Sequence, residues 1–312
     1  MLHLRVYSPS DLTDAVVAAI TRTDAVSELA VFRAVGTPPA PDLVMAEVVR
    51  ESANEVIDSL RDIGIPDQGA IQIQPVNTWI SRRGLDAEVR APGASTDAVV
   101  WAEVIHRAYE DSALTLTYAS FLTMATAIAS IGIVLDSQIL LIGAMVLGPE
   151  FGAVAALGLG LVRRRRTLLG QASRTLAVGF ALAIVLTACA AFVGRLIGWI
   201  TAAQVFGPRP LTSFIYTPDK WSFVVALIAG AAGVLALTSA KAGGLTGVFI
   251  SVTTVPAAGN VALCLAFANT EGVLGSMAQL IINIGGMAAS GWLTLVIQQS
   301  VWRRIQLRHG VR

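Results

Sequence analysis

Charge is scarce in this chain. Only 14% of its 312 residues are Asp, Glu, Lys or Arg, while 54% are hydrophobic; soluble domains usually carry about 25% charged residues. A water-soluble globule of this composition lacks the polar surface to cover itself, which places the chain in the membrane class. Cysteine is nearly absent. Cys189 and Cys264 lie in apolar runs and form no CxxC pair, which excludes a disulfide framework or a metal knuckle. The three histidines, His3, His106 and His309, are scattered and suggest no metal or acid–base chemistry. Missing too are HExxH, GxSxG and paired intramembrane aspartates, so no enzyme and no cofactor is expected. No GxxxxGK(S/T) loop occurs, which argues against a nucleotide-driven pump. The N-terminus lacks the basic start, apolar run and small-residue cleavage site of a signal peptide, so the front of the chain is expected in the cytoplasm.

The charges that are present divide the chain. Residues 1–112 hold 9 Arg and 17 acidic residues, a net charge of −8; residues 113–312 hold 13 basic and 4 acidic ones, a net charge of +9. An acidic, soluble front thus precedes a basic, hydrophobic back. In the front, His3 to Tyr7 alternates as a strand, and Ala15, Val16, Ala19 and Ile20 recur at helical spacing. Val26–Ala34 and Leu43–Val49 read as strands around the turn at 36–41, Ser52–Ile63 as a helix, and Ala70–Gln74 as a fourth strand. The order βαββαβ predicts a ferredoxin-like α+β domain over 1–85. Its acidity opposes nucleic acid, leaving regulation, ligand sensing or homo-oligomer assembly. Residues 86–113 read as a linker around Pro92, Gly93 and Ser95, followed by an amphipathic helix carrying Trp101, placed either on the membrane surface or against the front domain.

Six stretches reach the roughly 20 apolar residues that a helix needs to cross a bilayer: Leu114–Leu135, Ser137–Val162, Arg174–Ile200, Trp221–Ala240, Gly243–Ala268 and Leu274–Gln298. Residues 114–312 are therefore expected to form a six-span α-helical membrane domain. Arg-rich loops stay cytoplasmic. With both termini inside, Arg163–Arg166, Lys241 and the Arg303, Arg304, Arg308, Arg312 tail face the cytoplasm of the plasma membrane, while Asp136, Asp219 and Glu271 lie outside. Arg195, near the outer end of the third span, is expected to snorkel.

Pro149-Glu-Phe-Gly152-Ala-Val154-Ala155 returns 107 positions later as Pro256-Ala-Ala-Gly259-Asn-Val261-Ala262. A mid-helix proline breaks the hydrogen-bond ladder, and in hydrocarbon such breaks persist where protein or water lines them. The second and fifth spans run in opposite directions. The repeat is therefore read as inverted, two three-helix halves with broken middle helices meeting at a transport site. Gly148, Pro149, Glu150, Gly152, Thr253, Thr254, Pro256, Gly259, Asn260 and Asn283 are the candidate ion- or solute-binding residues. Glu150 leads them, because a carboxylate at mid-span needs a partner, a proton or a cation; the alternative for it is a structural carboxyl accepting amide hydrogen bonds beside the break.

Asp136-Ser-Gln-Ile-Leu-Leu-Ile-Gly-Ala-Met-Val-Leu-Gly-Pro149 resembles the Asn-Ser-x-x-x-x-Ile-Gly-Ala-Met-x-x-x-Pro signature of domain-of-unknown-function family 389, and Gly247–Pro256 extends the similarity. The resemblance implies a bacterial integral membrane protein, often with a cytoplasmic front domain, and no established substrate. Asp136 stands where that family commonly has Asn, and Glu150 where it commonly has an apolar residue. Together these readings predict a secondary transporter or channel-like permease for an unknown ion or small solute; the alternative is a membrane-anchored sensor or scaffold without transport.

Overall fold

The computed structural model describes residues 1–23, 25–35, 40–76, 78–91, 95, 98–212, 220–239 and 253–309. The chain separates into two compact units, one built mainly on Met1–Val104 and the other mainly on Ile105–Leu237 and Lys241–Ser300.

In the first unit, β1 (Leu2–Ser8), β2 (Val26–Phe32), β3 (Asp42–Val48) and β4 (Ala70–Pro75) form one antiparallel sheet in the order β2-β3-β1-β4. Leu2 faces Val48 and Ser8 faces Asp42 across β1–β3, and Tyr7 faces Ala70 across β1–β4. Period-two alternation puts Leu4, Val6, Val44 and Ala46 on the buried face. Against that face pack Val16, Ala19 and Ile20 of α1 (Thr13–Thr21), Val56 and Leu60 of α2 (Ala53–Asp62), and Ile65 of the short α3 (Ile65–Gln68).

The end of the β2–β3 hairpin is fixed by one carboxylate. Asp42 accepts from the Ala34 N–H at 2.9 Å, the Thr13 hydroxyl at 2.8 Å, Arg33 at 2.9 Å and Ser10 at 3.3 Å. These bonds, the Ala34 amide foremost, hold Asp42 below the usual carboxylate range against the opposing effect of burial.

Residues read as linker are in part helical: α4 (Arg82–Arg90) starts at Ser81, whose hydroxyl accepts the Gly84 N–H. Pro92 and Gly93 lie outside the described residues, as do positions 36–39 of the predicted turn. The amphipathic segment is α5 (Trp101–Asp111). Its entry is held by the first unit, since Val100 packs with Leu2, Ala53 and Ile57, and Asn54 bonds both the Val99 carbonyl and the Trp101 N–H.

The second unit is helical: α6 (Leu116–Val134), α7 (Gln138–Leu147), α8 (Glu150–Val162), α9 (Arg166–Leu196), α10 (Ala202–Phe206), α11 (Lys220–Thr238), α12 (Thr254–Ala266) and α13 (Thr270–His309). By length and composition α6, α9 and residues Thr270–Trp302 of α13 are each able to cross a membrane, and α7 with α8 passes the same test as a pair bent by 54°. Two shorter apolar helices, Phe223–Thr238 within α11 and α12, accompany them. Hydropathy alone counts six spans; among the described residues the structure has three long helices, one bent pair and two shorter pieces. Much of the fifth predicted span, residues 243–252, lies outside the described residues, as does Lys241.

An outward row on α9 of Val178, Leu182, Val185, Val193 and Leu196 is exposed. Water would oppose such a continuous apolar surface, whereas acyl chains match it. Several helices of this unit are thus long and apolar enough to span a membrane. Inside, α6 packs on α7, α9 and α12, and α8 packs on α9.

Four helices of this unit end alike. Asp136, Arg164, Gly198 and Ala268 have φ of 48°, 52°, 77° and 54°. The following amides reach back to the carbonyls of Gly132, Gly160, Gly194 and Cys264 at 2.8–2.9 Å. This is the Schellman arrangement, in which one left-handed residue lets the next amides satisfy carbonyls left open by the helix end.

These features also recur at a constant spacing. α6 and α11 both have 19 residues and start at 116 and 220; α8 and α12 both have 13 and start at 150 and 254. α9 and α13 start at 166 and 270, and the left-handed residues Arg164 and Ala268 keep step. Every shift is 104 residues, not the 107 of the proline match. Pro149 is the residue preceding α8, whereas Pro256 is the third residue of α12. Neither proline is in mid-helix. Both occupy positions where the lost N–H has no helical partner to miss, so the steep cost of an interior proline does not apply.

Candidate functional site

The break between α7 and α8 falls at Gly148-Pro149, and α8 opens on Glu150. α12 opens on Thr254. The two openings meet: the Thr254 hydroxyl donates to Glu150 Oε1 at 2.6 Å, with Glu150 5% exposed and Thr254 fully buried. First-turn amides of a helix lack intrahelical acceptors and carry the positive end of its dipole, so both openings favour a carboxylate there.

Gly148 makes this geometry possible. A Cβ on it would collide with Glu150 Oε2 and stand 2.8 Å from Val255 Cγ2. The glycine thus leaves room for the carboxylate to fold back over the break. Glu150 Oε2 has no hydrogen-bond partner among the described residues.

From this pair a line of buried polar side chains follows the α12–α13 hairpin. Asn283 donates to the Thr253 hydroxyl at 2.7 Å, Gln279 to the Asn283 carbonyl oxygen at 3.4 Å, and Asn260 to the Ser276 hydroxyl at 2.7 Å. Ser276, Gln279 and Asn283 sit at helical spacing i, i+3, i+7, one stripe along α13. Arg209 reaches Asn260 Oδ1 at 3.4 Å from the connector after α10. That connector is fixed by the left-handed Asp136, which accepts from the Leu211 N–H at 3.3 Å and the Thr212 hydroxyl at 2.9 Å, while Gln138 donates to the Leu211 carbonyl at 2.9 Å.

The structure thus gathers Gly148, Pro149, Glu150 and Thr254 directly, sets Thr253 and Asn283 beside them, and puts Asn260 further along α12. Pro256 is buried in the first turn of α12. Gly259 serves packing: a Cβ there would come 3.1 Å from Ala129 Cβ, and the Ser130 hydroxyl donates to its carbonyl at 3.1 Å. Gly152 faces away from the polar line, its Cβ position 2.7 Å from Asp111 Cβ. Sequence reasoning missed Ser130, Arg209, Ser276 and Gln279. The stripe on α13 carried a signal, three polar residues at helical spacing in an apolar run; Arg209 in a connector carried none.

Arg195 has a local role at the end of α12. Its guanidinium donates to the Ala266 carbonyl at 2.8 Å and lies 4.8 Å from the centre of the Phe267 ring, so it caps that helix end.

The family model described as Domain of unknown function (DUF389) matches residues 145–289, the stretch that contains every candidate site residue. The chain resembles that family over this region. Neither a curated protein nor a solved structure matches it.

Proposed function

We propose that the chain is a secondary transporter or channel-like permease of the plasma membrane, acting on an ion or small solute at the meeting point of α8 and α12. The observation that carries this reading is the buried Glu150–Thr254 contact, made by residues that open equivalent helices 104 positions apart. In this reading residues 116–196 and 220–300 are two halves of one design. Three crossings in the first half, with α7 and α8 counted as one, start the second half on the opposite face, so the halves are inverted and the six-span topology follows. Both termini are cytoplasmic on the basic-loop rule.

The acidic front unit, whose strand order fits the ferredoxin-like arrangement, serves as a regulatory or homo-oligomerisation domain. Nothing in this scheme uses enzymatic chemistry or a cofactor.

Purified full-length protein in liposomes, screened with panels of ions and small solutes, tests the reading. The wild type is expected to pass at least one tracer and Glu150→Gln to pass it at least about tenfold more slowly, the scale of a lost charged contact. Equal flux in both removes Glu150 from the mechanism. Cysteines placed at 150, 254 and 260 that are all protected from water-soluble reagent would support the scaffold reading instead.

A further inference from the structure

Two buried oxygens lie along one polar line with no donor among the described residues. Glu150 Oε2 and Gln279 Oε1 belong to residues 5% and 1% exposed, and both are without a hydrogen-bond partner among the described residues. They are joined through Thr254 and the adjacent Thr253, then Asn283. An ionised carboxylate and an amide carbonyl only accept, so whatever completes them brings hydrogen or positive charge. A carboxylate in this setting requires such a partner, and no ion pair among the described residues involves Glu150.

The titratable and charged groups on the elements packed around it are few. α6 brings Tyr118, within electrostatic reach of Glu150 and with a buried hydroxyl that finds no partner among the described residues. The end of α5 brings Asp111 to the side of α8 at Gly152, and the connector brings Arg209 to Asn260 on α12, which also carries Cys264. α9 carries Arg166, Arg174, Cys189 and Arg195, the last engaged at the end of α12, α11 carries Lys220 at its start, and α13 carries Glu271 in its first turn and Arg303, Arg304, Arg308 and His309 at its far end.

We infer that Glu150, with Thr254 and the Gln279 carbonyl line behind it, holds one exchangeable monovalent cation, a proton or an alkali ion. A single carboxylate among neutral oxygens suits unit charge; a divalent ion of this class gathers more carboxylates. Gly148 keeps the second oxygen uncovered at the helix break, and Thr254 fixes the first. An anion is disfavoured, because the open positions are acceptors. The ion's role as cargo or coupling ion rests on the transport reading; its binding does not.

Dicyclohexylcarbodiimide, which adds to protonated carboxyl groups in apolar surroundings, reports the occupancy of Glu150 in the intact, detergent-solubilised protein, with the adduct located by mass spectrometry. The wild type is expected to be modified at Glu150 at acid pH and to lose about tenfold in labelling per pH unit once the carboxyl ionises. Glu150→Gln should carry no adduct on this peptide.

Replacing choline by Na⁺ at constant ionic strength separates the two sources. Protection by Na⁺ identifies an alkali ion; pH dependence without protection identifies the proton. Thr254→Val should weaken pH or Na⁺ control of labelling, and Thr254→Ser should restore it in a protein of equal monodispersity. Labelling that ignores both pH and cation, or that appears only after unfolding in urea, overturns the ion site. Controlled labelling together with an absence of flux in liposomes leaves the site standing and removes transport.

Discussion

Glu150 and Thr254 are counterparts that touch: each opens its helix, they stand 104 residues apart, and one side chain donates to the other at 2.6 Å. In a two-fold design a residue meets its own counterpart only at the axis. The proposed halves therefore place one of their chemical differences, a carboxylate opposite a hydroxyl, on the line that relates them. The rest of the polar line belongs to the second half alone. Thr253, Asn260, Ser276 and Gln279 correspond at this spacing to Pro149, Ala156, Ala172 and Thr175, so common architecture carries divided chemistry.

Close packing between α8 and α11 gives a stability test. A Cβ on Gly233 would collide with the Phe151 ring, which is 4% exposed and has no room to retreat. Gly233→Ala is expected to destabilise the helical unit by about 1–3 kcal/mol through overpacking. Gly143→Ala, where nothing lies within 4 Å of the added carbon, should be neutral or stabilising by up to about 1 kcal/mol through helix propensity. Thermal unfolding in detergent followed by size-exclusion chromatography distinguishes the pair; equal losses would contradict the packing.

Acid should loosen the β2–β3 hairpin through Asp42. Its folded value lies below its unfolded one, so the bonds from Ala34, Thr13 and Arg33 contribute stability above about pH 4 that disappears as pH falls through the folded value. Asp42→Asn is expected to lower amide protection factors across residues 26–32 and 42–48 at pH 7. The difference from wild type should narrow toward about pH 3. Hydrogen exchange with mass spectrometry on the full-length protein checks both points, and a gap that widens in acid would refute the assignment.

Asp136 ties the α6–α7 turn to the connector that carries Arg209. Asp136→Ala forfeits the bonds to Leu211 and Thr212 and puts a residue less suited to φ of 48° at the turn. Loss of local stability of about 1–2 kcal/mol should follow. Exchange at residues 201–212 ought to rise accordingly. Asp136→Asn keeps an acceptor oxygen and the tolerance for left-handed backbone, so it should stay within about 0.5 kcal/mol of wild type.

Local patterning made much of the fold legible. Alternation in His3–Tyr7 and Ala70–Gln74 marked β1 and β4 nearly to the residue, because a half-buried strand writes its period directly into the chain. Apolar length marked α6, α9 and α13 for the same kind of reason. Helix breaks were harder: Pro149 precedes α8 by one residue and Pro256 is third in α12, so the 107-residue sequence match does not line up the two helix starts. The 104-residue spacing of those starts is carried by helix lengths and left-handed turns, and it leaves few identities behind.

At the site, Glu150 stood out because an isolated charge in an apolar run is conspicuous. Its bond to Thr254 was not legible, since nothing local ties position 150 to 254. Gln279 and Ser276 were legible in principle as a stripe on one helix face. Arg209 depends on how a connector folds back, which no periodic pattern records.

α13 runs unbroken from Thr270 to His309. At 1.5 Å per residue it is about 60 Å long, twice the roughly 30 Å depth of the hydrocarbon layer. Asn283 and Gln279 ride near its first third, so a pivot of about 10° there swings the distant tip through about 7 Å. The helix has the proportions of a lever arm, its short arm carrying the polar stripe of Ser276, Gln279 and Asn283.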